Sequence, residues 1–245
     1  MISLEWMKTY DIAHRGLHTD NEVVPENSMK AFQLAKERGY AMEFDIHITK
    51  DSQIVVFHDS TLTRLCGVPL EVETSTYDEI KEYPLLGSNQ TIPLLKDVLS
   101  EIAGAVPLLI EIKNTKRIDE ICTVLLDVLN GYDGDYAVQS FNPFIIHWFT
   151  KHAPTIKRGL VAYDMKDSKE PWINKQLIKH IVLYPIVKPH FINYEHTLLP
   201  MRRLTNLQKR GVIIIAWTVR SQDELDAVKK YYSNAVFELF IPKKK

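Results

Sequence analysis

Strand-like apolar runs alternate with helix-like segments along almost the whole chain, and this order constrains the fold more than any other feature. Strands that are separated by helical segments pair in parallel, because each helix carries the chain back across the sheet. The runs predicted as strands are residues 10–14, 41–45, 107–112, 136–139, 157–162, 186–192, 212–217 and 235–239. The segments predicted as helices are residues 28–38, 94–102, 118–129, 143–152, 172–180, 200–209 and 222–231.

The number of predicted strands and the chain length of 245 residues both fit a (β/α)8 TIM barrel, which takes about 250 residues. No stretch rich in glycine, proline and serine divides the chain, and no internal repeat is visible. We therefore predict an α/β fold in which residues 1–245 form a single domain.

A further strand-like run, residues 54–57, follows the second predicted strand too closely for a parallel connection. It is predicted to return antiparallel through a turn at residues 50–52, which makes a β-hairpin. With the turn centred near residues 50 and 51, His58 is expected to face Glu43 across the hairpin. The less regular residues 62–91 are predicted to form an excursion over the barrel mouth.

Two acidic residues in the second predicted strand, Glu43 and Asp45, are spaced so that they share one face of that strand. On a face that points into the protein, two unpaired carboxylates are very costly and need a compensating cation. Glu111 lies at the end of the next parallel strand, and the carboxyl ends of barrel strands line the active site. The three carboxylates predict an oxygen-rich site for one divalent cation, Mg²⁺ or Ca²⁺.

Cationic and titratable side chains occupy the same strand ends as these acids. Arg15 and Lys113 supply positive charge for an anion, and the arginine fork suits the geometry of a phosphate. Imidazole groups in general change charge near neutral pH, so the predicted site histidines, His14 and His58, could act as acid and base. A metal, two phosphate-binding cations and two histidines together favour cleavage of a phosphate diester.

Composition excludes several other classes of function. The net charge is −1, so no overall field attracts nucleic acid or anionic lipid. No apolar run reaches the roughly 20 residues that span a bilayer, and no signal peptide is predicted at the first residues. The two cysteines do not form a disulfide framework, so we expect a reducing, cytoplasmic location.

The motifs resemble those of the glycerophosphodiester phosphodiesterase family, in order and in spacing, over about the first half of the chain. They are Ile12-Ala13-His14-Arg15-Gly16, Pro25-Glu26-Asn27-Ser28, the run from Glu43 to Asp51, Val55-Val56-Phe57-His58-Asp59 and Glu111-Ile112-Lys113. Ser140-Phe141 and Ala216-Trp217-Thr218-Val219 also look like family positions. The last strand departs from the pattern, because Phe237 to Pro242 replace an ending that resembles Thr-Asp-x-Pro.

The resemblance implies a TIM-barrel hydrolase that converts a small glycerophosphodiester to an alcohol and glycerol 3-phosphate. It implies one divalent ion on Glu43, Asp45 and Glu111, an acid/base pair of His14 and His58, and phosphate contacts from Arg15 and Lys113. It also places Glu26 and Asp59 in the layer around the metal and the histidines. Trp217 would flank the alcohol portion of the substrate, with core packing as an equal alternative.

Two other functions remain open on the sequence alone. A lysophospholipase D-like phosphodiesterase would be favoured by an apolar mouth built from Leu65, Val68 and Leu70, whereas Glu71 and Glu73 oppose one. A barrel that binds phosphodiesters without catalysis is the second, and the burial of three acids argues against it. The sequence decides neither the head group, the metal, the attacking nucleophile (water or the glycerol 2-hydroxyl) nor the oligomeric state.

Overall fold

The structure is a computed structural model that describes residues 3–19, 21, 23–164 and 181–243. Its α-helices are α1 (Trp6–Thr9), α2 (Met29–Arg38), α3 (Thr63–Cys66), α4 (Tyr77–Ile80), α5 (Leu95–Ile102), α6 (Ile118–Leu129), α7 (Pro143–His152), α8 (Tyr184–Val187), α9 (Arg202–Gln208) and α10 (Gln222–Lys229). The predicted helix at residues 172–180 lies outside the described residues. No helix in the described ranges is long and apolar enough to cross a membrane.

The strands are β1 (Ile12–Ala13), β2 (Ala41–Ile48), β3 (Ile54–Val56), β4 (Leu108–Ile112), β5 (Tyr136–Ser140), β6 (Arg158–Ala162), β7 (Phe191–Glu195), β8 (Ile213–Val219) and β9 (Asn234–Phe237). They follow the order β1-β9-β8-β7-β6-β5-β4-β2-β3, and β1 also pairs with β2. The predicted (β/α)8 barrel is confirmed, with β3 as the antiparallel addition.

Helix α2 shows why the predicted boundaries are accurate where capping residues are present. Ser28 precedes the helix in an extended conformation, and its hydroxyl oxygen accepts a hydrogen bond from the N–H of Ala31. Gly39 ends the helix in the left-handed region at φ 71°, where glycine has no steric penalty. The helix therefore covers the barrel between β1 and β2 over the predicted span.

The β2–β3 hairpin is present, but its register differs by one residue from the prediction. Ile46 pairs with Val56 and Ile48 with Ile54, so His58 does not face Glu43 across the ladder. The cause is a three-residue loop centred on Asp51, in which Ser52 takes a left-handed conformation at φ 61°. A shift of one residue reverses which face each side chain occupies, so the predicted cross-strand contact is wrong.

The seventh strand also differs from its prediction at residues 186–192. It begins at Phe191, and Tyr184–Val187 form a short helix with Pro185 in its first turn. Lys188 then takes a left-handed conformation at φ 43° and precedes Pro189. Since proline cannot donate to a strand ladder, the two prolines confine the strand to the residues after them.

The chain divides into two compact units, Ala13–Tyr136 and the pair of segments Met1–Ile12 and Ala137–Lys245. The first unit contains β2, β3, β4 and the excursion at residues 62–91. The excursion has an apolar core of its own, made with the hairpin and the segment before α5: Val55, Phe57, Leu62, Leu65, Val72, Ile80, Leu85, Ile92 and Leu94. It is therefore packed structure with short helices, not a disordered loop.

Candidate active site

Three carboxylates lie together on β2 and β4, and we call Glu43, Asp45 and Glu111 the carboxylate cluster. Parallel pairing places Asp45 directly beside Glu111, and Glu43 is two residues earlier on the same strand face. Each side chain offers an oxygen within 4.8 Å of the others, and all three residues are buried. The i and i+2 spacing in the sequence therefore brings these acids together, as predicted.

The electrostatics of the carboxylate cluster show excess negative charge. Burial raises the pKa of Glu43 well above its ordinary value, and the charges of Asp45 and Glu111 raise it further. Burial also raises the pKa of Glu111, although Lys113 opposes this. Asp45 differs, because Lys113, His58 and Arg15 outweigh the effect of burial and hold its pKa below the ordinary value. An all-oxygen donor set with uncompensated charge fits a hard divalent cation such as Mg²⁺ or Ca²⁺.

Two cationic side chains, those of Lys113 and Arg15, border the cluster. The Nζ of Lys113 lies 2.8 Å from an oxygen of Glu111 and 3.3 Å from one of Asp45. The Nε of Arg15 lies 3.4 Å from Asp45. Burial would lower the pKa of Lys113, but its two carboxylate partners hold it above the ordinary value, so it stays charged. Both side chains place positive charge at the edge of the cluster.

Glu26 forms ion pairs with two arginine side chains and is not part of the carboxylate cluster. Its carboxylate accepts hydrogen bonds from Arg15 at 2.7 Å, from Arg64 at 2.7 and 3.0 Å, and from the Asn21 side chain at 2.9 Å. Burial would raise its pKa, but these donors lower it to about 2. Glu26 is therefore ionised and holds Arg15, which in turn contacts Asp45.

His58 lies at the end of the hairpin, and its Nδ1 is 2.6 Å from Oδ1 of Asp59. The two residues are adjacent in sequence, so this contact is local. The pKa of Asp59 is lowered to about 2, because hydrogen bonds from Arg64 and His58 outweigh burial. Asp59 is therefore an ionised acceptor for the imidazole of His58.

The other predicted histidine, His14, follows β1 and is close to the cluster. Its Nε2 lies 3.9 Å from Glu43, and about 14% of its side chain is exposed. This distance between Nε2 and the Glu43 oxygen is too long for a direct hydrogen bond. His14 and His58 both lie in the unit Ala13–Tyr136, together with all the charged residues predicted for the site.

Three residues of this network were not given a site role by the sequence. The side-chain amide of Asn27 donates to Asp45 at 2.9 Å, and Nε2 of His47 lies 3.2 Å from the carbonyl oxygen of His58. Burial is the main cause that lowers the pKa of His47 to about 4, so its ring is neutral at physiological pH. Asn27 belongs to a quoted motif and His47 shares the face of Asp45, so both had a signal in the sequence. Arg64, the third, had none.

Trp217 lies on β8 in the other unit and packs with Phe141 and Tyr163. We call these three residues the aromatic trio. The ring of Trp217 meets Phe141 edge to face at 5.4 Å, and Tyr163 at 6.2 Å. Its indole Nε1 lies 3.4 Å from the carbonyl oxygen of Ala162. All three rings are half-buried, so they combine mutual packing with some exposed aromatic surface.

The altered last strand carries its own ion pair. Glu238, directly after β9, accepts hydrogen bonds from Arg220, whose Nε and Nη2 lie 2.8 and 2.7 Å from one oxygen. Glu238 is buried, whereas about 64% of the Arg220 side chain is exposed. The departure from the family ending therefore places a buried acid directly after the last strand, β9.

Comparison with known proteins agrees with the motifs. A family model described as the glycerophosphoryl diester phosphodiesterase family matches residues 14–238. A glycerophosphodiester phosphodiesterase of Caldanaerobacter subterraneus subsp. tengcongensis is 30% identical over 236 residues, 91% of each sequence. A human lysophospholipase D is 38% identical over 115 residues, 42% of this chain and 35% of that protein.

A solved structure shows the same fold. It is a phosphodiesterase of Oleispira antarctica in complex with the product sn-glycerol-3-phosphate, with a TM-score of 0.79 and 21% identity. The alignment covers 94% of this chain and 92% of that one. The predicted phosphoric diester hydrolase family is confirmed, and the chain belongs to the glycerophosphoryl diester phosphodiesterase family.

Proposed function

We propose that this chain hydrolyses glycerophosphodiesters to an alcohol and glycerol 3-phosphate, with one divalent cation and two histidines as acid and base. The observation that carries this proposal is the carboxylate cluster itself. Three buried acids lie within 4.8 Å of one another, beside Lys113 and Arg15 and next to a histidine held by a carboxylate. A binding scaffold gains no stability from such a cluster, because buried like charges are costly.

Glu43, Asp45 and Glu111 would hold the cation, Mg²⁺ or Ca²⁺. When bound, it would supply Lewis-acid polarisation of the phosphoryl group. Arg15 and Lys113 would bind the non-bridging phosphoryl oxygens and stabilise the charge that grows on them in the transition state. Glu26 would keep Arg15 in place through its 2.7 Å hydrogen bond.

His14 and His58 would divide the proton transfers. One takes the proton of the attacking hydroxyl, and the other gives a proton to the leaving alcohol oxygen; each step contributes about 10²–10⁴-fold. Because Asp59 occupies Nδ1 of His58, the other ring nitrogen, Nε2, is left for the reaction. Whether the attacking hydroxyl is water or the glycerol 2-hydroxyl would be decided by ³¹P NMR, which detects a transient cyclic phosphate in the second case.

The test of the proposal is product release from glycerophosphocholine, measured as glycerol 3-phosphate in a coupled assay. We expect activity with added Mg²⁺ or Ca²⁺, loss of activity with chelator, and recovery when the ion is restored. Full activity after chelation would show the metal assignment to be wrong. Affinity for the diester without turnover at any divalent ion would favour the non-catalytic barrel.

A lysophospholipase D activity is the second candidate, favoured by the human relative that matches 42% of this chain. The apolar mouth expected for it is not formed by Leu65, which is buried in the core of the excursion. Val68 and Leu70 are partly buried against the same core. Lysophosphatidylcholine is the discriminating substrate, since release of choline and lysophosphatidic acid at a rate equal to that with glycerophosphocholine would favour this candidate.

We also propose a reducing, cytoplasmic location. Cys66 and Cys122 are free thiols, and burial raises their pKa values to about 11 and about 12. They are therefore protonated and weakly reactive at neutral pH. Fractionation of the native cells tests this, and recovery of the protein outside the cytoplasmic fraction would contradict it.

A further inference from the structure

Arg64 joins the excursion to two acidic residues of the candidate site. It lies on α3, a single helical turn whose neighbouring residue Leu65 is buried in the excursion core. That anchor fixes the backbone from which the Arg64 side chain extends, and about 43% of this side chain is exposed. Its guanidinium meets the carboxylates of both Asp59 and Glu26.

The contact with Asp59 is a two-bond fork. Nε donates to Oδ2 at 2.7 Å and Nη2 donates to Oδ1 at 2.9 Å. Two parallel bonds prevent the carboxylate from rotating, which a single bond would not. The same Oδ1 lies 2.6 Å from Nδ1 of His58, so the fork fixes the acceptor that the imidazole meets. An ionised carboxylate only accepts, so Nδ1 carries the proton and Nε2 is the free nitrogen.

The second contact uses the remaining guanidinium edge. Nη1 and Nη2 donate to the two oxygens of Glu26 at 3.0 and 2.7 Å. Glu26 also holds Arg15 at 2.7 Å. One planar guanidinium thus satisfies two carboxylates in a fixed relation, a geometry that the single ammonium of lysine does not reproduce.

We propose that Arg64 is a positioning residue, which acts through Asp59 to hold His58 in the tautomer with the proton on Nδ1. The proposal rests on the proposed function, in which His58 transfers a proton. It makes the excursion part of the reaction machinery, because the side chain that orients the histidine comes from the excursion.

The first test compares Arg64→Gln with Arg117→Gln in the same protein. Arg117 is a matched control, since it forms a two-bond fork with Glu120 at 2.8 and 2.6 Å and does not contact the site residues named above. We expect Arg64→Gln to lower kcat about 10–100-fold, the size seen for residues that orient a ligand or base. KM should stay within about twofold, and Arg64→Lys should not restore kcat. Wild-type kcat in Arg64→Gln, or an equal loss in Arg117→Gln, would overturn the proposal.

A double-variant cycle separates positioning from general support of the fold. If Arg64 acts through Asp59, then Arg64→Gln in an Asp59→Asn background should lower kcat by less than about twofold further. Losses that multiply in the double variant would mean that Arg64 acts by another route, and would overturn the proposal.

The third readout needs no activity, so it separates failure of this proposal from failure of the proposed function. In protein labelled with ¹⁵N-histidine, we expect the neutral His58 ring to carry its proton on Nδ1 in the wild type. Arg64→Gln should move part of the population to the Nε2–H tautomer, whereas Arg117→Gln should not. An unchanged tautomer in Arg64→Gln would overturn the positioning role even if the wild type released no glycerol 3-phosphate.

Discussion

The two compact units of the chain carry different chemistry at their strand ends. In Ala13–Tyr136, β2 and β4 carry the buried carboxylate cluster, which is bordered by the cationic side chains of Arg15 and Lys113. In the other unit, the aromatic trio comprises Phe141 and Tyr163, which directly follow β5 and β6, and Trp217 on β8. One region is rich in charges whose pKa values depend on one another, and the other presents ring surfaces.

This difference predicts which region sets the rate of the reaction and which sets the affinity for the substrate. Charges held in a buried site stabilise charge that develops in the transition state, so their loss should appear in kcat. Aromatic surface contacts a bound group equally before and during the reaction, so its loss should appear in KM. Substitutions in the two regions should therefore separate kinetically.

The largest effect is expected at the histidines. His14→Ala and His58→Ala should each lower kcat by about 10²–10⁴-fold, since each removes a proton transfer. Steady-state kinetics with glycerophosphocholine measures this, with His152→Ala at the exposed end of α7 as the control. Normal turnover in either site variant would remove that histidine from the acid/base pair.

The second effect concerns the carboxylate cluster. Glu43→Gln should lower kcat by about 10²–10³-fold, because it removes one proposed ligand and its electrostatic contribution. It should also remove the rise in thermal midpoint that Mg²⁺ or Ca²⁺ gives the wild type, since a ligand stabilises the folded state that binds it. Differential scanning fluorimetry with and without the ion measures this.

In the metal-free protein, Glu43→Gln is expected to have a different effect on the thermal midpoint. Burial and the charges of Asp45 and Glu111 raise the pKa of Glu43, so its ionised form is unfavourable in the folded protein. Replacing it with a neutral amide should leave the metal-free midpoint unchanged or raise it. A large fall in that midpoint, with metal stabilisation retained, would show that Glu43 is structural and not a ligand.

Much of the charged region could be predicted from the sequence, because local spacing determines it. The i and i+2 acids on β2, the antiparallel return of β3 and the adjacent His58–Asp59 pair all depend on neighbours along the chain. The predicted register of the hairpin is wrong by one residue, because the left-handed Ser52 lengthens the loop. No glycine marks that position in the sequence.

Arg64 could not have been predicted in the same way. Its position follows from the packing of the excursion, which has neither strand nor helix periodicity over most of its length. Its partners are 5 and 38 residues away, and a long flexible side chain gives no sign of the direction in which it extends. Such contacts depend on tertiary packing and become visible only in the folded structure.

The aromatic region should show a smaller effect of a different kind. We expect Trp217→Leu to raise KM for glycerophosphocholine by about three- to tenfold, since an aromatic contact is worth about 1 kcal/mol. The value of kcat should change less than about threefold. Trp148→Leu on α7 is the control, because Trp148 packs against its own helix neighbours Phe149 and His152. A loss in kcat as large as that in the histidine variants would end the kinetic separation of the two regions.

The smallest effect expected is on stability in acid, and it tests whether the charged region stabilises the fold as well as the reaction. The folded-state pKa of Glu26 is about 2, below its ordinary value of 4.5, so folding favours the ionised form. This stabilisation is complete above about pH 4.5 and is lost as the pH falls towards about 2. Urea unfolding between pH 2 and pH 7 should therefore show a flatter acid limb in Glu26→Gln than in the wild type. Glu37→Gln, at an exposed position of α2, is the matched control. Equal acid limbs in Glu26→Gln and the wild type would mean that the Arg15 and Arg64 contacts of Glu26 orient the site without stabilising the folded chain.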